Sequence, residues 1–287
     1  MSNFERLQDY VADDAIRIVH IEAIPRSIST ALARSLNEAE GPSVYVNEPF
    51  NRMHYDIEEA SESLLDAVEP VLEANDEKVT VVTKNMARNL NDEVLDQWIG
   101  VCDSTAWSIR DPLVQMGSLI TRIANDLAYA PGADRIKQED LTREQIQAAS
   151  DFLHHGPVSQ NFSKTSWADI GEHFRKGYHT EQSVVIDGGQ LTAEPIDVLM
   201  GACKKLGLAY SPRIVEGWEG DFINANSGYS ATLTDREHAW TSHAATSAGL
   251  VTTSRSALDL STLPAELQAH LTEVAIPTYE EMTGRKV

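Results

Sequence analysis

Residues 16–39 read IRIVHIEAI-PRSIST-ALARSLNEA, and the fold can be predicted outward from them. The first of these three segments is dense in β-branched apolar residues that partly alternate with polar ones, which predicts a strand. Leu32 and Leu36 in the third segment lie one helical turn apart, and Ser and Thr are common at helix starts, so a helix is predicted there. The hexapeptide Pro25–Thr30 therefore joins a strand directly to the N-terminus of a helix.

Strands and helices are predicted to alternate along most of the chain. Further strands are predicted at Ser43–Val46, Val79–Thr83, Thr105–Ile109 and Ser183–Ile186. Helices are predicted at residues 56–76, after Pro112, at residues 134–155 and at Pro195–Leu206, with a turn at Asp187–Gly189. This alternation is typical of the α/β class, with a mainly parallel central sheet flanked by helices. No repeat or clear linker interrupts the chain, so residues 1–287 are expected to form a single domain.

The composition predicts a cytoplasmic protein without a membrane segment. The chain is 42% apolar and 23% charged, which is ordinary for a globular protein. It contains no run of about 18 apolar residues, and its first residues lack the apolar stretch of a secretory signal. The two cysteines, Cys102 and Cys203, are too few for a disulfide framework and suit a reducing compartment.

The net charge restricts the partners that the chain is expected to bind. With 44 acidic and 23 basic residues, the net charge is −21. Such a field repels phosphate backbones and acidic polysaccharides, so we expect no nucleic-acid partner and favour a small molecule over a polyanion. A site for an anionic cofactor must then be a local basic pocket, which makes each well-placed arginine informative. The oligomeric state stays open.

The hexapeptide Pro25–Thr30 has the chemistry of an anion-binding loop. A strand that turns into a helix presents several unpaired backbone N–H groups at one point, and the helix dipole adds to their attraction for anions. Arg26 supplies a permanent charge, and Ser27, Ser29 and Thr30 add hydroxyl donors. The alternative is a plain helix cap with a surface arginine. No G-x-x-x-x-G-K-[ST] motif occurs, so the loop is not that of a nucleoside triphosphatase.

The hexapeptide resembles the 5'-phosphosulfate loop of the sulfotransferases that use 3'-phosphoadenosine 5'-phosphosulfate (PAPS). That loop reads P-[RK]-S-G-[ST]-T and also lies between the first strand and the first helix. Ile28 stands where the family usually has Gly. If this position requires a positive φ, the β-branched side chain is energetically unfavourable there.

A second segment strengthens the resemblance. Sulfotransferases have an Arg at the end of a later strand and a Ser eight residues further on, and both bind the 3'-phosphate of the cofactor. Ser108-Ile-Arg110-Asp-Pro112 followed by Ser118 reproduces this arrangement, whose alternative interpretation is a strand-end salt bridge of Arg110. The resemblance implies a P-loop-like sulfotransferase architecture, PAPS as cofactor, and adenosine 3',5'-bisphosphate as its product. The implied cofactor-binding residues are Arg26, Ser27, Ile28, Ser29, Thr30, Arg110 and Ser118.

Sulfuryl transfer requires a cation at the leaving oxygen, an aligned acceptor and a base for its proton. Arg26 is the predicted leaving-group stabiliser. Many cytosolic members have a His just after a Lys on the third strand, but this chain has Asn85 after Lys84. Glu48, in a Glu-Pro pair like that of carbohydrate-type members, is therefore the predicted base, with Lys84 steadying the sulfonate. His20 is an alternative base, and the resemblance implies that no metal ion is required.

Two other functions stay open. A small-molecule kinase could use the same loop for a nucleoside triphosphate, although the loop has no lysine. A non-catalytic nucleotide-binding protein on a degenerate scaffold would explain Ile28 and the missing His. The resemblance extends to about residue 210, and Trp240–His243 and Thr246–Gly249 are candidate counterparts of the last cofactor-binding segment of the family. The acceptor itself is not encoded in any motif.

Overall fold

A parallel sheet lies at the centre of the computed structural model, which describes residues 1–50, 56–128, 135–155, 162–178, 180–218, 247, 249–250 and 256–284. Within these residues its strands are β1 (Ile16–Ala23), β2 (Ser43–Asn47), β3 (Val79–Met86), β4 (Ser104–Ile109) and β5 (Gln182–Asp187). The strand order is β2-β3-β1-β4-β5, and every neighbouring pair is parallel. The predicted α/β class with a parallel sheet flanked by helices is confirmed.

One helix precedes the first strand, and the others lie between and after the strands. They are α1 (Asn3–Ala12), α2 (Ser29–Asn37), α3 (Ile57–Ala74), α4 (Asp92–Ile99), α5 (Pro112–Leu127), α6 (Arg143–His155), α7 (Phe162–Lys176), α8 (Gly188–Ala193), α9 (Pro195–Leu206), α10 (Ala265–His270) and α11 (Ile276–Thr283). A π-helical turn, Leu271–Ala275, joins α10 to α11. Among the described residues, no helix combines the length and the apolar character needed to cross a bilayer.

The two faces of the sheet carry separate helical layers. On one face, Val19 of β1 lies in the same apolar cluster as Leu32 of α2 and Leu199 of α9. On the other face, Ile18 clusters with residues of α1, α3 and α4, and Trp107 of β4 clusters with residues of α5, α6 and α7. Alternate residues of β1 therefore face different layers, as the period of a strand requires.

The parallel arrangement brings the strand-following segments to one edge of the sheet. The loop Pro25–Ile28 follows β1, Glu48 follows β2, and Arg110 follows β4. In open parallel sheets, ligands bind at this carboxyl edge. The fold thus places the candidate residues of these three segments along the same edge.

Some predicted elements differ from the observed ones. Asp187–Gly189 is not a free turn, because Asp187 caps α8 by accepting the N–H of Gly189 at 2.6 Å. Strand β3 extends to Met86, past the predicted end at Thr83. In the predicted helix at residues 134–155, the α-helix itself begins only at Arg143. Helix α9 matches its prediction, with Gly207 in the left-handed conformation after its last residue.

The packing of Gly188 predicts that a methyl group there displaces the loop after β1. A Cβ atom at Gly188 would lie 2.5 Å from the carbonyl oxygen of Ser27, whereas a Cβ at Gly201 would meet nothing within 4 Å. We expect Gly188→Ala to lower the free energy of unfolding by about 1–3 kcal/mol, as overpacking does. Gly201→Ala, in a helix, should raise it by about 0.5–1 kcal/mol. Urea unfolding measures both, and equal effects would contradict the packing.

Candidate functional site

The loop between β1 and α2 has a strained backbone. Arg26 and Ile28 have φ angles of 68° and 73°, in the left-handed region that non-glycine residues rarely occupy. Ile28 is also the N-cap residue of α2 and makes no side-chain capping hydrogen bond. The position where the resembled family has Gly thus does have a positive φ, and the β-branched residue adopts it. Each such residue costs about 1–3 kcal/mol, and strain of this kind is typical of functional sites.

The hydroxyl group of Ser27 holds the loop against β4. Ser27 is fully buried. Its Oγ donates to the carbonyl oxygen of Ile24 at 2.8 Å and accepts from Oγ of Ser108 at 3.1 Å. Because this hydroxyl bonds within the protein, the loop groups best placed for an anion are the backbone N–H groups at the start of α2 and the Ser29 and Thr30 side chains. Ser29 is buried and Thr30 is partly exposed.

The loop after β1 contacts the segment that follows β4. Arg26 Nε donates to Ser118 Oγ at 3.1 Å, across 92 residues of sequence. Gln115 Nε2 donates to the carbonyl oxygen of Pro25 at 2.9 Å. Arg110 directly follows β4 and is 4% exposed, and Ser118 is 2% exposed. The structure therefore brings together the loop Pro25–Thr30 and the segment Arg110–Ser118. The resemblance assigned these two segments to different phosphate groups of one nucleotide.

This corner of the molecule suits an anion in spite of the net charge of the chain. Arg26 and Arg110 bring guanidinium groups, and the N-terminus of α2 adds the positive end of its dipole. The chain as a whole carries −21. Two arginines and a helix N-terminus therefore lie at one edge of the sheet in a chain of otherwise acidic character.

Glu48 and Lys84 form an ion pair at the ends of β2 and β3. Asn47 pairs with Lys84 in the sheet register, so Glu48 follows directly. The Glu48 N–H donates to the Lys84 carbonyl oxygen at 2.6 Å, and Lys84 Nζ donates to the Glu48 carboxylate. Glu48 has a φ of 51° and its side chain is 14% exposed, while that of Lys84 is 1% exposed. The Glu48 carboxylate is thus partly exposed and is paired with a buried ammonium group.

The alternative base, His20, has the surroundings of a packed strand residue. It is fully buried on β1, and its Nδ1 accepts from Nε1 of Trp98 at 3.2 Å. Burial, and to a smaller extent the charge of His173, lower the pKa of His20 to about 3. The imidazole is therefore neutral near pH 7, with its Nδ1 lone pair engaged by Trp98. Of the two candidate bases, Glu48 is partly exposed and His20 is fully buried.

A buried acidic and histidine cluster lies on the same face of β1 as His20. Glu22 is fully buried, and its Oε1 lies 2.6 Å from Nδ1 of His173 on α7. Burial raises the pKa of Glu22. Burial alone would lower the pKa of His173, but the hydrogen bond and charge of Glu22, and the charges of Asp169 and Asp92, raise it overall. Burial also raises the pKa of Asp169, to about 6.

The segment at residues 247–250 lies beside α2. Arg34 Nη1 donates to the carbonyl oxygen of Ser247 at 3.3 Å, and its guanidinium stacks 4.8 Å from the ring of Trp218. Of Thr246–Gly249, a predicted counterpart of a cofactor-binding segment, only Ser247 and Gly249 are described, and Ser247 contacts α2. Trp240–His243 lies outside the described residues.

Several residues that shape the site carry no motif. Ser108 and Gln115 hold the loop by hydrogen bonds, and Gly188 packs on its backbone. The only signal for Ser108 was its place in the quoted segment, two residues before the strand-end Arg110. The Gly-Gly pair after β5 was a signal for close backbone approach, because a glycine lets another main chain come near. The pairing of Glu22 with His173 spans 151 residues and has no sequence signal.

No protein-family model matches the sequence, and no curated protein sequence matches it. Solved structures with a similar fold include the sulfotransferase domain from the curacin biosynthetic pathway, at 14% identity, 90% of this chain, 96% of that chain and a TM-score of 0.44. They also include the sulfotransferase domain from the Synechococcus PCC 7002 olefin synthase, at 14% identity, 90% of this chain, 94% of that chain and a TM-score of 0.45. Mouse sulfotransferase SULT7A1 complexed with PAP is 13% identical, and the match covers 72% of this chain and 65% of that chain with a TM-score of 0.41. This likeness is too weak to bear on activity.

Within the described residues, no group of three or more His, Cys, Asp or Glu side chains has the arrangement of a metal site. The residues that approach the sheet edge are instead arginines, a lysine and hydroxyl groups, together with Glu48. These side chains suit an anionic organic ligand and a proton transfer.

The raised pKa of Asp169 predicts a pH-dependent stability. The pKa of Asp169 is about 6 in the folded state and 3.8 in the unfolded state. The folded state therefore binds this proton more tightly, and the free energy of unfolding falls as the pH rises from about 4 to about 6. We expect Asp169→Asn to become more stabilising between pH 5 and pH 8, by about 1 kcal/mol after allowance for solvent screening. Urea unfolding at both pH values measures this. The exposed Asp66→Asn should show a constant offset, and the same constant offset for Asp169→Asn would refute the assignment.

Proposed function

We propose that the protein is a PAPS-dependent sulfotransferase, which moves a sulfuryl group from PAPS to a hydroxyl or amine of a small-molecule acceptor. The observation that carries the proposal is the contact between the loop Pro25–Thr30 and the segment Arg110–Ser118, made by the 3.1 Å hydrogen bond from Arg26 to Ser118. A doubly phosphorylated adenosine requires two anion sites. We propose that each of these two contacting segments supplies one of them.

The two ends of the cofactor have different candidate partners. Backbone N–H groups at the start of α2, with the hydroxyls of Ser29 and Thr30, are suited to the 5'-phosphosulfate. Arg110 and Ser118 are suited to the 3'-phosphate, because a guanidinium binds phosphate oxygens in a forked geometry. Arg26 lies between the two ends, since it belongs to the loop and reaches Ser118.

The transfer itself requires few groups. The acceptor oxygen or nitrogen forms a bond to sulfur while the bond from sulfur to the 5'-phosphate oxygen breaks, and negative charge develops on that oxygen. Arg26 is the proposed stabiliser of this charge, and Lys84 the proposed partner of the moving sulfonate. Glu48 is proposed to take the proton of the acceptor, because its carboxylate is partly exposed and follows β2 at the same sheet edge as the loop after β1.

The proposed acceptor is a small molecule, not a charged polymer. The net charge of −21 disfavours long polyanions. A neutral or cationic acceptor therefore meets less repulsion than an anionic one. The chemistry of the site distinguishes no further between an alcohol, a phenol and an amine.

Nucleotide binding and catalysis are tested together on the full chain. A ligand at 100 times its Kd stabilises the folded state by about 2.7 kcal/mol, so adenosine 3',5'-bisphosphate should raise the melting temperature and ATP should not. The Arg26→Ala variant should lose most of the transfer of labelled sulfuryl from PAPS to a panel of simple alcohols, phenols and amines, by about 100- to 1000-fold. Glu48→Gln should lose transfer but keep the bisphosphate-induced shift.

The control is Arg175→Ala, which removes a surface arginine paired with Glu281 and should change neither readout. Stabilisation by ATP alone would favour the kinase instead. Bisphosphate binding without transfer to any acceptor in the panel or in a metabolite extract would favour a nucleotide-binding protein without catalytic activity.

A further inference from the structure

Five buried polar atoms on one face of the sheet have no hydrogen-bond partner among the described residues. They are His20 Nε2, Glu22 Oε2, Asn85 Nδ2, Thr105 Oγ1 and Trp107 Nε1. The sheet register places Glu22 between Asn85 of β3 and Trp107 of β4, and places His20 beside Thr105. Side chains of paired residues in a parallel sheet point to the same face, so the five residues share one face, on which His20 Nε2 and Glu22 Oε2 lie 4.0 Å apart. Buried polar atoms of this kind need an explanation in physical terms.

Four of these atoms have hydrogen-bonding roles that a single bridging water molecule could satisfy. The amide of Asn85 and the indole of Trp107 donate hydrogen bonds, the Glu22 oxygen accepts them when ionised, and the Thr105 hydroxyl does both. The other Glu22 oxygen is bound by His173 at 2.6 Å, which leaves Oε2 for a further partner. A buried water molecule requires two to four polar partners, and this cluster supplies them.

Asn85 connects this cluster to the candidate base. Its Oδ1 accepts the backbone N–H of Phe50 at 3.2 Å, two residues after Glu48. The Phe50 ring packs edge-on against Trp98, with centroids 5.2 Å apart, and Trp98 in turn donates to His20. The turn that carries Glu48 therefore rests on residues of the same buried face as the five atoms.

The turn requires such support because its backbone is strained. Glu48 has a φ of 51°, a conformation that persists only where the surroundings hold it. Its N–H bonds to the Lys84 carbonyl oxygen, and the Asn85 side chain fixes the chain two residues later. Lys84 and Asn85, which are consecutive in β3, thus hold the backbone at Glu48 and at Phe50.

We propose that Asn85 is a positioning residue for Glu48, and that ordered water held between Asn85 and Glu22 keeps the amide of Asn85 oriented toward the Glu48 turn. The proposal rests on the proposed function, in which Glu48 is the base. Asn85 itself need not touch the acceptor or the nucleotide, because it acts through the backbone of Phe50.

The first test compares Asn85→Leu with Asn125→Leu. Asn125 on α5 also accepts a backbone N–H through its Oδ1, from Ile136 at 2.8 Å, but lies at the far end of α5 from Ser118. A misplaced catalytic group costs about 100-fold in rate, so Asn85→Leu should lower kcat with the best probe acceptor by about 10- to 100-fold. KM for PAPS and the Kd of the bisphosphate should stay near those of the wild-type chain. Asn125→Leu should leave kcat unchanged.

The second test uses Asn85→Asp, whose new carboxyl resembles the amide only when it is protonated. Its neutral form offers an acceptor to Phe50 and a donor to the water, whereas its ionised form stands beside the Glu22 carboxyl. We expect the pH profile of kcat to move toward lower pH in this variant. An unchanged profile together with wild-type kcat in Asn85→Leu would overturn the positioning role.

Crystal structures supply a readout that requires no activity. In the wild-type chain, density for a water molecule bonded to both Glu22 Oε2 and Asn85 Nδ2 is expected, and a dry contact would overturn the water bridge. In the Asn85→Leu crystal, Glu48 should leave its positive φ, and an unmoved turn would overturn the positioning role. Failure of the proposed function is separate, because it would show as no bisphosphate binding or no transfer by the wild-type chain.

Discussion

The loop after β1 holds two non-glycine residues, Arg26 and Ile28, in the left-handed conformation, and the rest of the site depends on this strained turn. Each residue costs about 1–3 kcal/mol, which surrounding contacts must offset. Ser108, Gln115 and Gly188 provide those contacts from β4, α5 and α8. The contacts from Ser108 and Gln115 therefore both stabilise the turn and join the loop to β4 and to the helix that follows it.

A similar balance of strain and support recurs at the end of β2. Glu48 also has a positive φ, and the end of β3 holds it through the Lys84 carbonyl oxygen and the Lys84 ammonium group. Lys84 and Arg110 are buried, while Arg26 contacts Ser118. The cations are therefore fixed before an anionic ligand arrives, which lowers the entropic cost of binding it.

The α/β class and the five strands follow from the sequence, because strand periodicity and helix-starting residues are local signals, whereas the helices at Asn3–Ala12, Asp92–Ile99 and Phe162–Lys176 were not predicted. The meeting of the loop with Ser118 was also predictable, since the strand-end Arg110 placed that segment at the carboxyl edge. The pairing of Glu48 with Lys84 depends on the β2–β3 register, which a single sequence does not specify. The face on which His20 and Glu22 lie, and their burial under α4 and α7, depend likewise on tertiary packing. Asp187–Gly189 was predicted as a turn because Gly-Gly is a turn signal, but Asp187 caps a helix there.

The most direct measurement is a crystal structure of the chain with adenosine 3',5'-bisphosphate. The 5'-phosphate is expected at the start of α2, within hydrogen-bond distance of the Ser29 and Thr30 backbone, and the 3'-phosphate at Arg110 and Ser118. A nucleotide bound at any other place, or one that contacts only one of the two segments, would contradict the proposal that they form a single cofactor site.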